Sequence, residues 1–350
     1  MRGLIFTTLI FLFSSTFLLS QSNVFYTSGL FVKKEVNNIL KKSKATVAAE
    51  TPEIIPFELE GGLIFVEARL GGIPKYYILD SGAPTLILNS KENSIKKSGV
   101  NVASISGQVE IENRIVKDFK FGTIKSNFLE AYVIDISHLE KIKNRPIEGL
   151  IGKEHFRQSE ILIDYEKREI VVLPKNRRDN IEGFEMVESI KFGVGNHMPV
   201  VKLKIGKRIY TFGIDTGAEV NLLSKRFYKK IKKGNIQLTE GKRISGIDKK
   251  IEKVESAIIK KATFNKRVFH DMEFVFANMN HLNENYEIEL DGLLGYPFLS
   301  AAIFSIDYRT NRLCIWERSI REEIEILKPE NISTIAKIDK EKKLTFKTNR

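Results

Sequence analysis

Two short segments carry the residues most able to do chemistry: Asp80-Ser81-Gly82-Ala83 and Asp215-Thr216-Gly217-Ala218. Each aspartate ends an apolar run, with Leu79 and Ile214 immediately before it. A carboxylate at the end of an apolar strand is costly unless it is paired or hydrogen-bonded. The glycine two residues on lets backbone amides approach the carboxylate, and the Ser81 and Thr216 hydroxyls can bond backbone groups across a junction. A single such turn is common in loops. Two in one frame imply carboxylates meeting on an approximate two-fold axis. Two carboxyls a few ångströms apart do not both ionise easily, so one keeps a proton and the other is charged. The charged one can take a proton from water while the neutral one bonds a substrate carbonyl, which is general acid–base hydrolysis.

The frame around the turns is a repeat. Leu70 to Ala83 matches Ile205 to Ala218 at a constant offset of 135 (215 − 80), each reading as strand, tight turn at Gly71 or Gly206, and second strand. Gly149-Leu150-Ile151-Gly152 recurs as Gly292-Leu293-Leu294-Gly295, an offset of 143 (292 − 149), and the same offset relates Ile163-Asp164-Tyr165 to Ile306-Asp307-Tyr308. Between them, Ile105-Ser106-Gly107 matches Ile244-Ser245-Gly246. The expectation is an all-β chain of two homologous lobes, 57–175 and 184–318, joined by the polar stretch 176–183. Residues 23–56 read as a linker or pro-segment and 319–350 as a charged tail. Asp164 and Asp307 read as turn-stabilising, Trp316, Tyr76 and Tyr77 as structural, and Asp291 as a backbone-bonding residue.

With these residues in view, the chain resembles the aspartic peptidases over about 260 residues, from Phe57 to Trp316. Asp80-Ser81-Gly82 and Asp215-Thr216-Gly217 match the family's two catalytic turns, and Leu150-Ile151-Gly152 and Leu293-Leu294-Gly295 match the element that packs beneath them. The resemblance implies two pepsin- or retropepsin-like β-barrel lobes with the site in the cleft between them. It makes Asp80 and Asp215 the catalytic pair, with Ser81, Gly82, Thr216 and Gly217 as support. Ser106, Gly107, Ser245 and Gly246 fall where the flaps would lie and are the substrate-binding candidates. Alanine at 83 and 218 is a retropepsin-like feature, and Asp291 to Leu299 resembles the bacterial retropepsin-like families. The alanines imply a less extremely acidic working pH. The departures are the absence of a flap tyrosine near Ser106 and of pepsin-type disulfides. The family implies an extended polypeptide substrate and no metal or organic cofactor.

The same residues bear on three rival functions. A peptide-binding pseudo-peptidase would be marked by loss of one aspartate, and both are present. A purely structural β protein would reduce the matched blocks to core duplication. Phosphoryl transfer would need a glycine-rich phosphate loop, and none accompanies Asp215-Thr216-Gly217-Ala218.

Composition narrows the setting. The chain has 350 residues, 42% of them hydrophobic, and a net charge of +12 with acidic residues interspersed, which reads as a solvated basic surface rather than a nucleic-acid groove. Met1-Arg2, the apolar run Leu4 to Leu19 and Ser20-Gln21-Ser22 have the form of a secretory signal over 1–22, so an exported protein is expected, membrane-associated if the segment is retained. Cys314 is the only cysteine and the five histidines show no ligand spacing, so neither a disulfide framework nor a metal site is expected. With both halves of the site in one chain, the expected unit is a monomer.

Overall fold

The computed structural model describes residues 5–6, 46–47, 51–90, 100–104, 107–175, 180–195, 198–231, 236–246, 251–283 and 289–319. The expected signal segment (apart from Ile5–Phe6), Ser106 and the tail from 320 lie outside them.

The N-terminal lobe comprises β1 (Glu53–Pro56), β2 (Glu58–Glu60), β3 (Leu63–Leu70), β4 (Ile73–Leu79), β5 (Leu86–Asn89), β6 (Val100–Ser104), β7 (Gly107–Phe121), β8 (Ile124–Ile134), α1 (Ser137–Lys143), β9 (Gly149–Ile151), α2 (Lys153–Phe156), β10 (Glu160–Asp164) and β11 (Glu169–Leu173). After β12 (Asn180–Ile181) come β13 (Phe184–Lys191), β14 (Gly193–Gly195), β15 (Met198–Ile205), β16 (Arg208–Ile214), β17 (Asn221–Ser224), α3 (Tyr228–Ile231), β18 (Ile236–Ser245), β19 (Ile251–Phe264), β20 (Arg267–Ala277), α4 (Asn280–Asn283), β21 (Gly292–Leu294), α5 (Tyr296–Leu299), β22 (Ile303–Asp307) and β23 (Arg312–Arg318).

Each lobe closes a ring of six strands. In the first the order is β3-β4-β9-β5-β8-β7 and back to β3; in the second it is β15-β16-β21-β17-β20-β19 and back to β15. The expected hairpins are present. Gly71 and Gly72 both have positive φ (58° and 83°), the geometry of a two-residue turn that suits strand twist, and in the matching hairpin Gly206 alone of the two turn residues has positive φ, at 59°. Alternating burial along β3 and β15 follows the alternation of apolar and charged side chains. The repeated Gly149 and Gly292 start strands squeezed between two neighbours, where a side chain would run into the Ile87 or Leu222 carbonyl.

A third sheet joins the lobes, in the order β12-β13-β23-β22-β10-β11-β1. At its centre β10 and β22 are antiparallel with Leu162 opposite Ser305, two residues that the 143-residue repeat makes equivalent. The pseudo-two-fold axis therefore passes between them. The segment expected as a linker enters this sheet already at Glu53, pairing with β11, because Ile54 and Ile55 extend its strand pattern.

Buried charges cross this seam. Asp164 bonds the Glu166 and Lys167 amides of its own turn (3.0 Å each), as expected of a turn residue, and also receives Arg318 of the other lobe at 2.7 Å. Asp307 caps its turn through the Arg309 amide, and Arg309 reaches Glu160 at 3.2 Å. Ser305 donates to Glu160 (2.6 Å) and accepts from Trp316 Nε1 (2.8 Å), so the buried tryptophan is a sheet-core residue with its donor satisfied. His155 is fully buried on α2, 2.9 Å from Ser126 Oγ, and burial pushes its pKa down to about 3, so it packs as a neutral ring. Removing one partner of a buried pair leaves the other charge uncompensated. Asp164→Ala should therefore cost about 3–5 kcal/mol, seen as a lower midpoint of thermal unfolding.

Candidate active site

In each lobe a short strand is inserted between the two strands that flank the aspartate turn. β9 runs parallel to β4, with Ile151 opposite Leu79, and antiparallel to β5; β21 does the same between β16 and β17. The Asp80 amide donates to the Ile151 carbonyl and the Asp215 amide to the Leu294 carbonyl, each at 3.0 Å. The Lys153 and Tyr296 amides, one residue beyond Gly152 and Gly295, bond the Ala83 and Ala218 carbonyls at 2.9 Å. The hydrophobic-hydrophobic-Gly segments thus support the turns from beneath.

The two turns meet across the axis. Ser81 Oγ donates to the Ile214 carbonyl (2.9 Å) and accepts from the Thr216 amide (2.9 Å). Thr216 Oγ1 donates to the Leu79 carbonyl (3.0 Å) and accepts from the Ser81 amide (2.9 Å). Four buried hydrogen bonds lock one turn to the other. Gly217 lies so close to Asp80 that a Cβ there would stand 2.6 Å from the Asp80 carboxyl carbon, which is why no side chain fits.

The structure brings Asp80, Ser81, Gly82, Asp215, Thr216 and Gly217 together, with both aspartates fully buried. Asp80 Oδ1 accepts from Gly82 (2.8 Å) and Ala83 (3.1 Å), whereas Asp215 Oδ1 accepts from Gly217 alone among these amides (2.8 Å). The two carboxyls are close enough to shift each other's pKa, and the Oδ2 atoms find no fixed donor among the described residues. Burial pushes Asp80 up to about 7, and burial together with the neighbouring Asp80 charge holds Asp215 well above the ordinary carboxylate range.

The described flap candidates lie at strand ends in hairpins. Gly107 opens β7 opposite Ser104 in the β6–β7 hairpin, and Ser245 ends β18 opposite Ile251 in the β18–β19 hairpin, with Gly246 next to it and both buried. Among the described residues no cluster of three His, Cys, Asp or Glu side chains comes together. Asp291 bonds the Thr211 amide (2.8 Å), as expected.

Several neighbours of the site were not singled out from sequence. Tyr165 and Tyr308 are buried near the pair, their pKa values raised by burial and by the Asp215 charge, with Asp80 adding to the latter. Phe57 and Phe192 pack edge-on against them at 5.9 and 6.5 Å. The tyrosines recur with the 143-residue repeat, which was the available signal. Lys143 and Glu219 form an ion pair between the lobes, and no repeat marks it.

Thr216→Val keeps the shape of the side chain but leaves the Ser81 amide and the Leu79 carbonyl buried and unpaired. Two such groups at about 1–3 kcal/mol each predict a loss of about 2–6 kcal/mol in unfolding experiments, with Thr216→Ser close to wild type.

Residues 201–298 match the family model described as aspartyl protease. No curated protein matches the chain. The match covers the Asp215 turn, the β18–β19 hairpin and the Leu293-Leu294-Gly295 support, and the N-terminal lobe repeats the same ring and the same turn chemistry. Over that C-terminal segment the chain is similar to the aspartyl protease family.

Proposed function

We propose that this protein is an active aspartic endopeptidase that cleaves extended polypeptides in the cleft between its lobes, with Asp80 and Asp215 as the catalytic pair. The observation that carries the reading is the meeting of two fully buried carboxyls at a junction locked by Ser81 and Thr216. Asp80, with two backbone donors, is the better-stabilised anion and serves as the base. Asp215 keeps the proton and donates it towards the substrate carbonyl. Asp80 takes a proton from the attacking water, the tetrahedral intermediate forms without a covalent bond to the enzyme, and the proton on Asp80 passes to the departing amine as the C–N bond breaks. The substrate lies extended between the β6–β7 and β18–β19 hairpins, adding strand-like hydrogen bonds. The apolar leader at 1–22 supports export, and the protein works as a monomer without metal or organic cofactor.

The test is cleavage of denatured casein by wild type, Asp80→Asn and Asp215→Asn. Both substitutions should abolish cutting while preserving the fold. A folded wild type that binds casein-derived peptides and cuts none would support the peptide-binding pseudo-peptidase instead, and cutting that survives both substitutions would refute the assignment.

A pH dependence follows from the raised carboxyls. Below the pKa of Asp80 both groups are protonated and no base remains, so kcat/KM should rise with pH through about 7 rather than peak in strong acid.

The same shift has a stability consequence. The unfolded chain ionises both groups near pH 4, whereas the folded protein releases these protons only at higher pH. The unfolded state therefore binds fewer protons in that window, and stability falls as pH rises above about 4. Asp215→Asn should raise the Tm relative to wild type at pH 7, and the advantage should vanish below about pH 4.

A further inference from the structure

The two lobes share a fold but not a charge. Residues 57–175 hold 17 lysines and arginines against 17 aspartates and glutamates, whereas residues 184–318 hold 23 against 16, a net charge of +7 (23 − 16). Such asymmetry between matched halves points to a surface that meets an anionic partner. The 135-residue repeat shows where part of it lies. In the N-terminal lobe Glu67 and Arg69, both exposed on β3, pair with each other at 3.3 Å. Their counterparts on β15 are Lys202 and Lys204, both exposed, so a neutral pair is replaced by two like charges. The turn beyond differs in the same sense. Gly72, Ile73 and Pro74 of the first lobe correspond to Lys207, Arg208 and Ile209 in the second.

These residues frame one cavity. Lys204 stands directly opposite Ile209 in the β15–β16 hairpin. Together with Lys191 and Lys202 they line a cavity of about 420 Å³ over the buried Val201 and Phe264. Asn265, also in the lining, donates to Glu188. No carboxylate lines the cavity, and none of its three lysines has an ion-pair partner among the described residues. Like charges held on one face repel unless something anionic meets them. Ile209, 64% exposed, projects among them. Lysine stems are long enough for the ammonium groups to reach headgroup phosphates while an apolar side chain enters the boundary with the acyl chains. The projecting isoleucine therefore favours a bilayer over a soluble polyanion, which would meet the charges alone. Strand β16 leads from Ile209 to the Asp215 turn, six residues (215 − 209) or about 20 Å at roughly 3.3 Å each, so docking by this end keeps the acid pair clear of the lipid.

We propose that this face of the C-terminal lobe is a docking surface for an anionic phospholipid bilayer, with Lys191, Lys202 and Lys204 taking headgroup phosphates and Ile209 entering the interface. The inference goes beyond the proposed function and does not depend on it.

The test is flotation of the full chain with vesicles of phosphatidylcholine alone and of equal parts phosphatidylcholine and phosphatidylglycerol. Wild type should partition more strongly to the anionic vesicles, and the excess should shrink as salt is raised. Lys202→Gln/Lys204→Gln should lower that excess by roughly 25-fold, at about fivefold per charge. Lys117→Gln/Lys120→Gln, which removes the same charge from exposed positions of the N-terminal lobe, should leave it unchanged. Ile209→Ser should weaken binding severalfold. Every variant keeps the apolar run Leu4 to Leu19, so any contribution from it cancels in the comparison. Equal partition of wild type to both vesicles overturns the proposal, as does undiminished binding by the Lys202/Lys204 variant. An equal loss in the Lys117/Lys120 variant would reveal an unlocalised charge effect and overturn the placement. Loss in the Lys202/Lys204 variant with none in Ile209→Ser would identify a site for a soluble polyanion and overturn the lipid assignment.

Discussion

Two carboxyls removed from water and facing each other's charge are the constraint on which this molecule turns. Desolvation alone would expel or neutralise them, and both are indeed held well above their ordinary range. What keeps them together is the reciprocal bonding of Ser81 and Thr216, four buried hydrogen bonds that tie the lobes at the point where the carboxyls meet. The inserted strands β9 and β21 exist in service of that junction. Their carbonyls take the aspartate amides, and their glycines admit the chain where any side chain would collide.

The seam below the site repeats the logic with charge. Leu162 faces its own repeat partner Ser305 across the axis, and Glu160 with Arg309 and Asp164 with Arg318 bond from lobe to lobe. Each lobe closes its own ring, yet the largest apolar cluster runs through both, from Phe121 and Phe156 to Phe298 and Phe304. Buried ionic pairs contribute little net stability over apolar packing, but they penalise every wrong alignment. In a site that depends on two turns meeting to within a fraction of an ångström, alignment is what matters.

Near-symmetry also sets the chemical problem. Two identical carboxyls in identical surroundings would share their proton equally. The differences lie just outside the repeated motif, in Pro84 against Glu219 and in two backbone donors against one. Duplication supplied the frame, and the two turns differ within it in these details.

The linear pattern was enough to establish two lobes, the hairpins at Gly71 and Gly206, the aspartate turns and their glycine-bounded supports, because each depends on local spacing that duplication preserves. Asp80, Ser81, Asp215 and Thr216 were legible for the same reason. The seven-stranded seam and the entry of Glu53–Pro56 into it were not, since pairing between distant strands leaves no periodic mark. Nor were the crossing of Arg318 to Asp164 and of Lys143 to Glu219, because an ion pair between lobes is written nowhere as spacing. The neutral His155 in the core was hidden too, as its burial depends on Phe119 and Phe156 closing around it. Residue identity determined which groups could meet. Only the closing of two rings against one shared sheet decided that the two carboxyls would be buried together, and burial is what raises their pKa values and makes them a pair.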